Sequence, residues 1–92
     1  MKYKVKDCFE MKQIADEYIV IPRGSQALDF NATVVFNESG AFLWNYLKEY
    51  NTPEVLAAAL KERYAIEEST AAEDTRAFLN KMEENGMLDT AE

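Results

Sequence analysis

The residues able to do chemistry are few, and their spacing limits what chemistry is open to them. Histidine is absent from the 92 residues, which removes the usual general acid–base group at neutral pH and the commonest zinc ligand. Cys8 is the single cysteine, so no internal disulfide and no cysteine-based metal set can form. No basic or imidazole group accompanies it to stabilise a thiolate, which points to an inert thiol. Carboxylates are plentiful, and Glu67-Glu68 and Glu83-Glu84 are adjacent pairs. Neighbours on a helix diverge by about 100°, so neither pair converges on one substrate. The expectation is binding without catalysis, with no cofactor and no metal.

Charge narrows the partners. The net charge is −7, and residues 1–36 contribute nothing to it: Lys2, Lys4, Lys6, Lys12 and Arg23 balance Asp7, Glu10, Asp16, Glu17 and Asp29. All of the excess falls in residues 37–92, whose acidic faces would repel a phosphate backbone. No apolar run approaches the roughly 18 residues of a membrane helix. The basic start, Met1 to Asp7, is not followed by an apolar stretch, so a signal peptide is not expected. We expect a cytoplasmic protein with no membrane partner. The length fits one domain over residues 1–92, with an ordered core of about 9–88.

Elements that could position a binding surface follow from periodicity. Phe9–Ile14 alternates roughly, Asp16-Glu17 turns, and Tyr18–Pro22 is β-branched. Arg23-Gly24-Ser25 ends that strand, Leu28-Asp29-Phe30 is a candidate extended stretch, and Thr33–Phe36 is a third strand. Asn37 is a good N-cap, and Phe42, Leu43, Tyr46, Leu47 and Tyr50 recur at helical spacing. Thr52-Pro53 starts a second helix with the stripe Val55, Leu56, Ala59, Leu60 and Tyr64. Thr70 and Glu73 match a capping box for a third, which Asn85-Gly86 stops, and Met87-Leu88 then folds back over the core. Strands followed by helices indicate α+β, with three helices on one face of a three-stranded antiparallel sheet. Gly40 in a first helical turn is unfavourable by propensity, which indicates close packing against it. Trp44 suits either the core rim or a partner contact.

The order and spacing of several short pieces resemble the PqqD family of pyrroloquinoline quinone biosynthesis proteins, the best-known recognition elements for ribosomally made, modified peptides. These are Tyr18–Pro22, then Phe36-Asn37-Glu38-Ser39-Gly40-Ala41-Phe42-Leu43-Trp44, then Leu60…Tyr64-Ala65-Ile66, then Asp74…Phe78-Leu79…Gly86-Met87-Leu88. The Asn37–Gly40 variant is closer to the broad PqqD-like clade than to the narrower pathway protein. The resemblance implies a winged-helix-like fold that binds the leader of a precursor peptide and presents it to a modifying enzyme, often a radical S-adenosylmethionine enzyme. It also implies that the leader adds a strand beside the third strand, here Thr33, Val34, Val35 and Phe36, in a groove walled by the third helix.

On that helix Ala71, Thr75, Phe78 and Met82 share one direction and are assigned to the core. Ala72 and Leu79 lie about 80° away, with Arg76 and Glu83 just beyond, and this face is the expected groove wall. Leu79 could equally widen the core stripe. Arg76 could pair with an acidic leader side chain or with Glu73 on its own helix. A winged helix could instead bind nucleic acid. That alternative is disfavoured, because the third helix and its flanks set Glu67, Glu68, Glu73, Asp74, Glu83 and Glu84 against only Arg76 and Lys81.

Overall fold

The alternation that marks strands in the first third produces a meander. A computed structural model describes residues 1–23 and 34–92; the possible extended stretch Leu28-Asp29-Phe30, and Thr33, lie outside the described residues. Strands β2 (Phe9–Ile14), β3 (Glu17–Pro22) and β4 (Val34–Phe36) form a three-stranded antiparallel sheet in the order β2-β3-β4. Ile14 pairs with Glu17, so Ala15 and Asp16 make the turn, and Ala15 takes the left-handed conformation at φ 55°. In β4, Val34 and Phe36 are buried while Val35, pointing the other way, is half-buried.

Three helices follow: α1 (Glu38–Tyr46), α2 (Pro53–Tyr64) and α3 (Glu68–Glu84). Local chemistry sets two of their starts. The Asn37 side-chain oxygen accepts from the Gly40 N–H at 3.1 Å and from the Ser39 hydroxyl at 2.8 Å. The Thr52 hydroxyl oxygen accepts from the Val55 N–H at 3.2 Å, with Pro53 opening α2. The third start corrects the sequence reading. Helix α3 begins at Glu68 with Glu67 as its N-cap and no side-chain cap bond. Thr70 is already inside the helix, so the Thr70–Glu73 box does not form; acidic Glu68 instead complements the helix dipole. Asn85-Gly86 ends α3 as expected, with Gly86 at φ 67° and the Met87 N–H donating to the Met82 carbonyl at 3.0 Å.

The core joins Phe9, Val20, Val34 and Phe36 of the sheet to Leu43, Trp44, Leu47, Leu56, Leu60 and the α3 stripe Ala71, Thr75, Phe78, Leu79, Met82. Trp44 is therefore a core residue. Tyr46, Tyr50 and Val55 are not: all three are exposed. Their helical spacing fails as a guide because α1 stops at Tyr46, short of Tyr50, and because α2 buries only Leu56 and Leu60.

Two further strands were not expected. Lys2–Val5 (β1) pairs antiparallel with Leu88–Ala91 (β5), in register Lys2↔Ala91 through Val5↔Leu88. On its other side β1 is stitched to the connection between α1 and α2. The Val5 N–H reaches the Leu47 carbonyl at 2.8 Å, and Tyr3 and Asn51 exchange backbone bonds at 2.8 and 2.9 Å. The ordered fold thus begins well before residue 9. No helix among the described residues is long and apolar enough to cross a membrane.

Candidate functional site

Both outer strands of the sheet lack a partner strand on one side among the described residues, and of the two, β4 is the one whose edge lies beside α3, on the side that faces away from β3. A short β-branched strand with an open edge offers backbone donors and acceptors to an extended chain. Its position is fixed from beneath. The Phe36 ring packs on Phe78 of α3 with centroids 4.9 Å apart, and Gly40 of α1 closes against the same residue. A Cβ at Gly40 would stand 2.7 Å from the Phe36 Cβ and 2.8 Å from its Cδ1. The missing side chain is therefore what lets α1 follow β4 after a single residue.

Lys81 of α3 completes this edge. Its Nζ donates to the Val35 carbonyl at 2.7 Å and lies 4.8 Å from the centroid of the Phe36 ring. A charge-assisted bond and a cation–π contact converge on one ammonium, which stands at the strand edge with an apolar ring beneath it. The sequence reading missed Lys81. Its only local signal was its spacing, three residues after Phe78, because its acceptor is 46 positions away.

The residues expected to wall the groove sit elsewhere on α3. At about 100° per residue, Ala72, Arg76, Leu79 and Glu83 lie roughly 140 to 180° around the helix from Lys81. They line an open cleft of about 1010 Å³ between α2 and α3, where Ala57 and Ala58 of α2 face Ala72 and Leu79. Leu79 is buried and belongs to the core as well, while Ala72, Arg76 and Glu83 are exposed. Arg76 makes no ion pair among the described residues, with Glu73 or any other carboxylate. Thr75, on the floor of the cleft, is buried with no hydrogen-bond partner for its hydroxyl. The structure thus brings Val34, Val35 and Phe36 together with Phe78 and Lys81. It does not bring them together with the other α3 face. Thr33 lies outside the described residues.

A third cluster sits on the outer side of α1 and α2. Phe42 packs edge-on against Tyr46 and Tyr64, and Arg63 lies over the Phe42 and Tyr64 rings while its guanidinium meets Glu38 at 3.4 Å. Burial, and next the Glu38 charge, raise the Tyr64 phenol above its ordinary value, with Arg63 opposing. This cluster ties α1 to α2 and holds no convergent nucleophile or acid–base pair.

The profile of the family described as coenzyme PQQ synthesis protein D (PqqD) matches residues 13–88. No curated protein gives a significant sequence match. Among solved structures, TbiB1 in complex with the TbiA(beta) leader peptide is 22% identical, with a TM-score of 0.74 over 97% of this chain and 98% of that one. Lasso peptide synthetase B1 complexed with the leader peptide is 19% identical, with a TM-score of 0.74 over 98% of this chain and 100% of the other. At these identities the likeness is one of fold, and it spans nearly the whole of each chain compared.

Proposed function

Because this chain belongs to the PqqD family, we propose that it binds the leader of a ribosomally made precursor peptide and presents it to a modifying enzyme. Binding is by strand addition at the open edge of β4. The observation that carries this reading is that edge, held rigidly by Phe36 on Phe78 and unpaired by any described strand. Main-chain pairing supplies affinity, and side-chain pockets supply selectivity. Two solved structures of the same fold are themselves complexes with leader peptides, which supports the reading. No catalytic step is assigned to this chain; the chemistry belongs to the partner enzyme, of the radical S-adenosylmethionine class that the family resemblance implies. The work is placed in the cytoplasm, where the precursor is made.

In this reading the groove wall falls to the Phe78–Lys81 face. Ala72, Arg76, Leu79 and Glu83 join the site if the bound peptide continues past the sheet into the cleft between α2 and α3. Isotope-labelled protein titrated with dodecapeptides selected from a random displayed library tests both parts. Amide shifts at Val34, Val35, Phe36, Phe78 and Lys81 are expected. Additional shifts at Ala72, Arg76, Leu79 and Glu83 would show the extension. Shifts that spare β4 altogether would end the strand-addition reading.

A further inference from the structure

Lys81 is bound in an unusual way for a cation on so acidic a chain. The sequence holds 17 acidic residues, yet Lys81 makes no ion pair among the described residues, where the three ion pairs use Lys4, Arg23 and Arg63. Its ammonium instead takes a neutral acceptor, the Val35 carbonyl at 2.7 Å, over the Phe36 ring at 4.8 Å. Val35 is the middle residue of a strand only three residues long. That carbonyl is open to a donor from outside the sheet, and an added strand uses such carbonyls as acceptors for its own N–H groups.

We propose that Lys81 is a specificity-determining residue that selects peptides carrying an acidic side chain opposite it. The inference rests on strand addition at β4. An incoming N–H that takes the Val35 carbonyl leaves the ammonium without its acceptor while the aromatic face still holds it in place. A carboxylate on the added strand, turned toward α3, replaces a neutral acceptor with an anionic one and forms the stronger bond. A basic side chain there meets a like charge, so one position both attracts and rejects. Without peptide, the same lysine blunts the open edge, as charged side chains commonly do.

The test selects random dodecapeptides from a displayed library on the wild-type protein, Lys81→Met and Lys81→Glu. Lys81 is exposed, and matching circular-dichroism melts confirm that the variants are folded. Wild-type selections should share one acidic position. Lys81→Met should keep the apolar spacing of the selected peptides and lose the acidic preference, and Lys81→Glu should exchange it for Lys or Arg. A peptide selected on the wild type should bind Lys81→Met about tenfold more weakly, the scale of one charge-assisted hydrogen bond. Equal acidic enrichment on wild type and Lys81→Met overturns the assignment while leaving peptide binding intact. Failure of all three proteins to select any peptide overturns the binding reading beneath it.

Discussion

Gly40 and Phe36 share a space that admits only one side chain, and much of the site depends on that contact. With a Cβ at Gly40 only 2.7 Å from Phe36, Gly40→Ala must displace the ring that packs at a tilt against Phe78 and lies under Lys81. Better helix propensity offsets up to about 1 kcal/mol, but overpacking costs roughly 1–3 kcal/mol. We predict a net loss of about 1 kcal/mol in urea denaturation, with Val35 and Phe36 amide shifts larger than those of α2. Thr75 poses the opposite case. Its buried hydroxyl has no partner, so Thr75→Val should be neutral or raise stability by about 1 kcal/mol; a marked fall in Tm would show that the hydroxyl is satisfied in solution. Tyr64 gives a pH dependence. Its folded phenol titrates above its ordinary value, so above about pH 10 the unfolded state loses the proton first. Stability contributed by the neutral phenol is full below that value and falls as pH rises through the folded one. Tyr64→Phe should therefore flatten the alkaline loss of stability, measured as urea midpoint against pH from 9 to 11.

Elements whose boundaries are written in neighbouring residues were legible, and those set by distant partners were not. Asn37 and Thr52-Pro53 mark helix starts because a cap needs only the next three residues. Asn85-Gly86 marks a stop for the same local reason. The strands of the meander were readable because each is joined or paired to the next. β1 and β5 were missed because each is four residues long and meaningful only beside the other, at opposite ends of the chain. Periodicity gives angles around α3 but no reference direction, so by itself it does not say which face lies toward the sheet. Phe36 on Phe78 supplies that direction, and it sets Lys81 at the strand. The turn end of α2 offers an element-scale test. Ala65 sits in the left-handed conformation at φ 52°, where a Cβ is unfavourable. Ala65→Gly should raise stability by about 1 kcal/mol in chemical denaturation, since this is the usual glycine position at a helix end.

At the scale of the whole molecule, the charge argues against a polyanionic partner. The −7 carried by residues 37–92 opposes nucleic acid, and no shift of duplex DNA is expected in a gel even at low salt; a salt-sensitive complex there would contradict the peptide reading. A different property follows from β1 and β5. Their register sets Lys2 beside Ala91, so residues 2 and 91 meet at one end of that two-stranded sheet, while the open edge of β4 belongs to the other sheet. Such a unit can be entered and left through a single point. It could be inserted into a surface loop of a larger protein without parting that loop, or permuted by joining residues 2 and 91 and opening the exposed Ala15-Asp16 turn between β2 and β3. The architecture is in that sense a cassette, with its two points of attachment side by side on one small sheet.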